Sequence, residues 1–385
     1  MSRAAILVLG MHRSGTSALT WLVGQLGATL PGDPMVPTEE NVRGFWESDS
    51  LARADEQLLR VCRSSWFDPR PLDWSRLPAS GLASRKARIR EAIEQSWGDA
   101  PLLVIKDPRQ CRCVPVIRDV LDEMGVEPRA ILMLRDPAEV ARSLERRDRF
   151  TPAFSHLLWL RHVIDAERHT RGMPRIVLDY AALLRDWRRE VTRILPLTGR
   201  DGWLPDDTLA ATIDAFLDPD LRHYSALAPV PLPEPLGGLV ARLKRGLERL
   251  RDADDDAARA ALDQVYAEVE AMPALDGDIV HDELRHRVLA GAQAAEPPAA
   301  VPVAASPAPH MPAPEDAAVL VRDSGLFDAE WYLTQYLDAR ESGMDPVEHY
   351  LSIGAAQGHD PNPLFRTAFY ARQMQRRTER DPAQS

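Results

Sequence analysis

The first stretch of the chain that could do chemistry is a loop with two glycines, GMHRSGTS, at residues 10–17. It follows an apolar run and precedes a helix-like segment, so backbone N–H groups and the positive end of a helix dipole would face one small volume. A guanidinium and several hydroxyls add donors that suit phosphate or sulfate oxygens. The pattern therefore predicts an anion-binding loop, whose candidate ligands are His12, Arg13, Ser14, Gly15, Thr16 and Ser17.

Two alternatives to this interpretation concern what the loop holds. It could be a tight strand-to-helix turn with a capped helix and no ligand, although two glycines, an arginine and three hydroxyl residues together favour an anion. Thr16 stands where a nucleotide triphosphatase carries the lysine that reaches the outer phosphates. Asp107 ends the run VIKD and could be a magnesium ligand, so this residue alone leaves a kinase-like reading open.

The elements expected to position the loop are apolar runs that are continuous rather than alternating, as in strands buried on both faces of a parallel sheet. They lie at residues 4–9, 102–105, 130–134 and 175–180. Helix-like stretches separate them, at 16–26, 52–62, 84–97, 114–124, 138–147 and 153–170. This alternation predicts an α/β fold, with a parallel sheet flanked by helices and a P-loop-like anion loop.

Composition divides the chain into four predicted regions. We expect an α/β domain at 1–230, a helical extension at 231–293, a Pro/Ala-rich linker at 294–316 and a small, mostly helical C-terminal module at 317–385. The linker composition favours an extended chain. The module is rich in aromatic residues, which we interpret as core rather than as a sugar platform, and its sequence shows no metal-ligand spacing.

Two separated motifs resemble those of sulfotransferases that use 3′-phosphoadenosine 5′-phosphosulfate (PAPS). GMHRSGTSAL is similar to the 5′-phosphosulfate loop of the bacterial, P-loop type members, and AILMLRDPAEVARSL to their 3′-phosphate segment. The resemblance implies that Arg135 and Ser143, eight positions apart, bind the 3′-phosphate. It implies that Lys106 neutralises charge on the bridging oxygen and that PAPS is a co-substrate used without a metal. The likeness extends over residues 4–225 and includes GFWES and the segment FLDPDLRHY at 216–224.

The candidate base for sulfuryl transfer follows from a departure from this family. Members that act on small phenols and steroids carry a histidine two positions after the lysine, where this chain has Pro108. Carbohydrate-directed and bacterial members instead often use a carboxylate after the loop. Glu47 in RGFWESDS is flanked by two aromatic residues, and burial there would raise its pKa. The alternatives are a surface role for Glu47, or a base at Glu40, Asp49 or Asp107.

The histidines are expected to have structural rather than catalytic roles. His12 lies inside the loop and is expected to pack there rather than act as a base. His156, His162 and His169 fall on one predicted helix, where we interpret them as surface or packing residues.

Composition restricts the function classes. The net charge of −11 argues against a general nucleic-acid binder. Three cysteines, Cys62, Cys111 and Cys113, suit neither a disulfide framework nor a zinc site, so reduced thiols are expected. No apolar run is long enough for a signal-peptide core or a spanning helix, which predicts a cytoplasmic protein without a transmembrane segment.

The catalytic prediction is a sulfotransferase in which Arg13, Lys106 and Glu47 act on PAPS and a hydroxyl acceptor. The acceptor would be a small molecule or carbohydrate of the cell envelope. The C-terminal module resembles modules beside bacterial glycosyltransferases and sulfotransferases of surface-polysaccharide pathways, which implies pathway proteins as partners. A nucleotide-dependent phosphotransferase and a catalytically silent scaffold are the alternatives.

Overall fold

The computed structural model describes residues 3–37, 44–217, 231–252, 256–272, 279–286, 318–319, 321–322, 327–362 and 367. The chain forms two compact units, Met1–Pro273 and Ala274–Ser385. Glu40, most of the 216–224 segment and the predicted linker at 294–316 lie outside the described residues.

A four-stranded, all-parallel sheet forms the centre of the first unit. Its strands are β1 (Ala4–Leu9), β2 (Leu102–Ile105), β3 (Glu127–Leu134) and β4 (Arg175–Asp179), in the spatial order β2-β1-β3-β4. All residues of the central strand β1 are buried, which explains why its sequence is continuously apolar. The predicted α/β fold class is confirmed.

Helices flank this sheet on both faces. In chain order they are α1 (Thr16–Gln25), α2 (Asp49–Val61), α3 (Ala79–Trp97), α4 (Gln110–Glu123), α5 (Pro137–Asp148), α6 (Pro152–His169), α7 (Tyr180–Arg185), α8 (Trp187–Thr198) and α9 (Asp207–Phe216). α2 begins earlier than its apolar pattern indicated, because the Ser48 hydroxyl accepts a hydrogen bond from the Leu51 N–H at 3.1 Å and caps the helix.

Helix α6 is buried on almost every side. His156 and His162 are both buried, so the surface role is wrong for them and the packing role is confirmed. Their Nδ1 atoms contact the carbonyl oxygens of Pro152 and Leu158, at 2.7 and 2.9 Å. Burial lowers the pKa of His162 to about 3, so its ring stays neutral.

Two further helices complete the first unit, α10 (Leu236–Asp252) and α11 (Asp256–Glu270). They pack against each other, and α10 also packs against α6 and β4. The Lys244 ammonium donates to Asp136 Oδ2 at 2.6 Å, and the Tyr266 hydroxyl donates to Glu167 Oε2 at 2.6 Å. Part of the predicted helical extension is thus attached to the α/β core.

The second unit contains short helices, α12 (Ala329–Gln335), α13 (Leu337–Ser342) and α14 (Pro346–His349), followed by a π-type turn at Tyr350–Gly354. Its small core is formed by Trp331, Tyr332, Ala339 and Tyr350. All three cysteines of the chain are free and buried in the first unit. Among the described helices, none is long and apolar enough to cross a membrane.

Candidate anion-binding active site

The loop between β1 and α1 has the backbone of an anion cradle. Gly15 precedes α1 with a φ of +87°, a conformation that residues with a side chain rarely adopt. A Cβ on Gly15 would lie 2.2 Å from the ring of Tyr180, so the ring occupies the space that a side chain would need. Both observations explain why glycine stands at this position.

The start of α1 lacks the usual partners of a helix terminus. Among the described residues, no side chain caps this helix, and its first turn contains no acidic residue. Ser14 is 1% exposed, and its hydroxyl oxygen has no hydrogen-bond partner in the described part of the chain. Buried polar atoms are normally paired. The loop therefore offers N–H groups and a hydroxyl that an anion could satisfy.

The two predicted phosphate motifs meet in space. The Arg13 Nε–H donates to the Ser143 hydroxyl at 2.8 Å. Arg135 donates from Nη1 to the carbonyl oxygen of Arg13 at 2.8 Å, and its Nε–H donates to Glu139 Oε2 at 3.0 Å. The Arg135 guanidinium also lies over the Tyr180 ring, 4.8 Å from its centroid. Loop and α5 thus share one cluster of cations and hydroxyls.

Lys106, the residue after β2, joins the same region from the other side. Its ammonium donates to the Ser17 hydroxyl at 3.3 Å, to the Phe45 carbonyl at 3.2 Å and to the Glu47 carboxylate. The side chain is 3% exposed. Since an ammonium has three donors, this set of partners uses all of them.

Glu47 is buried, so of the two alternatives for this residue the surface role is wrong. It is 5% exposed, and burial raises the pKa of its carboxyl, while the Lys106 charge opposes that rise. The predicted pKa direction is confirmed, and the role as a base stays a prediction. The Glu47 carboxylate forms a direct ion pair with the Lys106 ammonium.

The competing carboxylates are held elsewhere. Asp107 accepts from Arg109 Nη1 with both oxygens, at 3.1 and 2.9 Å, and from the Arg109 backbone N–H at 2.8 Å. Asp49 lies in the first turn of α2, pairs with Arg53 and has a side chain that is 42% exposed. Three site cations thus hold a carboxylate partner in the described structure: Lys106 with Glu47, Arg109 with Asp107, and Arg135 with Glu139.

His12 faces an aromatic cluster. Its ring lies 4.3 Å from the Trp66 ring and 6.3 Å from that of His162, centroid to centroid. Burial and the positive charge of Arg147 lower its pKa well below the ordinary value, which disfavours a role as the base. The predicted packing role agrees with these contacts, and a role in holding the donor stays a prediction.

Sequence reasoning missed Asp55, which lies on the buried face of α2. It is fully buried beside Gln110, and burial together with the negative charge of Asp107 raises its pKa well above the ordinary value. A signal was present, because Asp55 falls at helical spacing with the core residues Leu51, Leu58 and Leu59.

Comparisons with known proteins concern the fold. No family model matches the chain, and no curated protein matches it. Among solved structures, a "Sulfotransferase Domain from the Synechococcus PCC 7002 Olefin Synthase" is 19% identical with a TM-score of 0.38, covering 62% of this chain and 94% of that one. A "Sulfotransferase Domain from the Curacin Biosynthetic Pathway" is 13% identical with a TM-score of 0.34, covering 63% and 97%. Function has to be inferred from the residues of the site.

Proposed function

We propose that this chain is a PAPS-dependent sulfotransferase that transfers a sulfuryl group to a hydroxyl of a carbohydrate or related cell-envelope metabolite. The observation that carries the proposal is the 2.8 Å contact between Arg13 and Ser143. It brings together the residues that would hold two separate anionic groups of one nucleotide. A nucleotide whose phosphates form a single chain would not need a second phosphate-binding group of residues.

The residues present fit a donor with anionic groups at both ends. The loop amides, the unpaired Ser14 hydroxyl and Arg13 would hold the 5′-phosphosulfate. Arg135 and Ser143 would hold the 3′-phosphate. Hydrogen bonds to charged groups contribute about 1.5–3 kcal/mol each, so contacts with the 3′-phosphate should give a measurable preference for adenosine 3′,5′-bisphosphate over 5′-AMP. When bound, the donor supplies an activated sulfuryl group on a nucleotide leaving group.

The buried pair of Lys106 and Glu47 would divide the remaining work. The Glu47 carboxylate would accept the proton of the acceptor hydroxyl, and burial already moves its pKa toward the working range of a base. The Lys106 ammonium would neutralise charge on the oxygen of the leaving group. Both roles require the two side chains to exchange their mutual contact for contacts with substrate.

Two aromatic rings beside the loop would offer a surface to the acceptor. Trp66 and Phe67 are half-buried, their rings lie 5.5 Å apart, and Trp66 also packs on His12. The guanidinium of Arg147 lies 5.3 Å from the Trp66 centroid. Half-exposed aromatic rings beside cations suit a polyhydroxylated acceptor, which supports the carbohydrate class. Pathway proteins as partners of the C-terminal residues stay a prediction.

The direct test is calorimetric titration of the full chain with adenosine 3′,5′-bisphosphate, 5′-AMP and ATP, in EDTA and then in excess magnesium. We expect the bisphosphate to bind at least about tenfold more tightly than 5′-AMP, because each charged contact contributes about 1.5 kcal/mol or more. The preference should not require magnesium. Equal affinity for the two adenosine phosphates would contradict the proposal, and magnesium-dependent preference for ATP would favour a phosphotransferase.

A further inference from the structure

A group of residues with metal-ligand side chains lies within the second unit. Asp338, His349 and His359 each bring one ligand atom to a common point, and these atoms all lie within 4.8 Å of one another. They come from three successive segments: Asp338 from α13, His349 from the end of α14, and His359 from the turn after the π-type segment. The chain between these segments must fold back twice to bring them together.

One tyrosine sets the orientation of both imidazoles. The Tyr332 hydroxyl contacts Nδ1 of His349 at 2.9 Å and Nδ1 of His359 at 3.1 Å. The opposite nitrogens of the two rings therefore face the same carboxylate. Nε2 of each ring lies 3.7 Å from Asp338 Oδ2.

The ring nitrogens can adopt a protonation state that suits a cation at this point. With both Nε2 atoms as ligands, each neutral imidazole carries its proton on Nδ1, and both rings donate to the Tyr332 oxygen, which can accept two hydrogen bonds. Each Nε2 then presents a lone pair toward the Asp338 carboxylate, and 3.7 Å is too long for a hydrogen bond between them. A cation between these three atoms would satisfy both lone pairs and the carboxylate.

Two of the three pairs of ligand atoms are spaced close to metal coordination, and all three atoms lie within 4.8 Å, so the side chains would close slightly on an ion. Bonds of about 2.0–2.1 Å from a tetrahedral ion to nitrogen and oxygen place two ligand atoms about 3.4 Å apart. The two nitrogen-to-carboxylate distances are both 3.7 Å. We propose that Nε2 of His349, Nε2 of His359 and a carboxylate oxygen of Asp338 bind a divalent transition-metal ion of the zinc class.

The surroundings fit this assignment. Histidines that bind metals usually engage their other ring nitrogen in a hydrogen bond, which fixes the ring, and here Tyr332 does so for both. Tyr332 is fully buried, and a Cβ on Gly354 would lie 2.0 Å from its hydroxyl, so the tyrosine position depends on this glycine. Imidazole nitrogens disfavour calcium and magnesium, which prefer oxygen ligands. The side chain of Asp338 is 47% exposed, which leaves room for water as a fourth ligand.

A metal ion would supply stability that this unit otherwise lacks. Its described core contains only a few aromatic residues, and residues 274–385 contain no cysteine for a disulfide. Small folded units of this kind commonly depend on a bound metal. The ion would clip α13, α14 and the turn at His359 together.

The test uses the untagged full chain, stripped of metal with a chelator and titrated with Zn²⁺ by calorimetry and with Co²⁺ by visible absorption. We expect saturable binding of a single ion and the intense visible bands of tetrahedral Co²⁺. Asp338→Asn and His359→Ala should lower the affinity by at least about tenfold, and Tyr332→Phe by roughly 10–100-fold, as found when outer partners of metal ligands are removed. At the same concentration, Zn²⁺ should raise the melting temperature of the wild-type chain more than that of Asp338→Asn.

The matched control is His286→Ala, an exposed histidine of the same unit, which should bind like the wild-type chain. Asp338 is half-exposed, so its replacement by asparagine tests the ligand without removing core volume. Absence of saturable Zn²⁺ binding would overturn the proposal. Zn²⁺ affinity that survives in both Asp338→Asn and His359→Ala would overturn it as well.

Discussion

Arg13 and Ser143 are 130 positions apart in the chain, and the Arg13 Nε–H donates to the Ser143 hydroxyl at 2.8 Å. Arg135 reinforces the contact, because its guanidinium donates to the carbonyl oxygen of Arg13. The loop after β1 and helix α5 are therefore joined through side chains that would hold the two anionic groups of one nucleotide. Substitutions at Arg13 and at Arg135 should therefore have different effects on nucleotides with and without a 3′-phosphate.

The first prediction concerns the second anionic group. Arg135→Ala should remove most of the preference for adenosine 3′,5′-bisphosphate over 5′-AMP, whereas Arg13→Ala should weaken both nucleotides. Each lost charge-assisted contact contributes about 1.5–3 kcal/mol, or roughly 10–150-fold in affinity. Calorimetric titration measures both effects. Arg88→Ala is the control, since its side chain is 66% exposed and should leave both affinities unchanged.

The second prediction concerns the base. Glu47→Gln should bind adenosine 3′,5′-bisphosphate at least as tightly as the wild-type chain and lower turnover by roughly 10²–10⁴-fold, the range for a lost general base. In the wild-type chain, turnover should rise with pH through the raised pKa of Glu47, because only the ionised form accepts a proton. The variant should lose this rise. Turnover can be followed as nucleotide release from PAPS with a surrogate sugar; unchanged turnover would exclude Glu47 and leave Glu40 to be tested.

The third prediction concerns the buried ion pair. Lys106→Met should lower the free energy of unfolding by about 3–5 kcal/mol at neutral pH, because it leaves Glu47 buried without its partner. The loss should shrink at acid pH, where the unpaired carboxyl takes up a proton. The double variant Lys106→Met with Glu47→Gln should recover part of the loss, as measured by urea unfolding. Additive losses would argue that the pair contributes nothing specific.

The fourth prediction concerns Asp55, whose pKa burial raises well above the ordinary value. The folded chain then holds a proton that the unfolded chain releases above about pH 3.9, so stability falls as pH rises from there toward the folded pKa. The slope is about 1.4 kcal/mol per pH unit while the folded form stays protonated. Asp55→Asn cannot ionise, so its stability relative to wild type should increase with pH over this range. Asp99→Asn, at an exposed position, should show no such trend.

The fifth prediction separates two reasons for glycine in the loop. Gly15 and Gly172 both have a positive φ, +87° and +85°. Gly15→Ala and Gly172→Ala would each place a residue with a side chain in this conformation. This conformation costs about 1–2 kcal/mol. Only Gly15 faces a ring within contact distance, so Gly15→Ala should cost more and should abolish nucleotide binding. Equal unfolding free energies for the two variants would show that the Tyr180 contact is unimportant.

The sheet and most helices could be predicted because buried parallel strands require continuous apolar runs. β1 and β2 coincide with their predicted runs for this reason. β3 begins at Glu127, before its apolar run, because backbone pairing with β1 extends to residues whose side chains are partly exposed. Helix starts shifted where a polar cap or a proline, rather than the apolar pattern, determined the boundary, as at Ser48 and Pro78.

The site could be predicted only as a set of residue types. The aromatic neighbours of Glu47 favoured its burial, but its pairing with Lys106, 59 positions away, depends on how the segment before α2 lies against the end of β2. Asp55 was missed because charged residues are normally assigned to the exposed face of an amphipathic helix, whereas Asp55 lies on the buried face of α2. His349 and His359 were missed because their spacing matches no common ligand pattern, and Asp338 joins them only after two reversals of the chain.

The pairing of Lys106 with Glu47 has a further consequence for solution chemistry. An anionic nucleotide that takes the Lys106 charge leaves a buried carboxylate without its counterion, so the pKa of Glu47 rises further. Complex formation then takes up protons from the solvent. The heat of binding should therefore vary with the ionisation enthalpy of the buffer, and the affinity should decline as the solution becomes more alkaline. In this way the Glu47 carboxylate would occupy Lys106 in the resting site until an anionic donor displaced it.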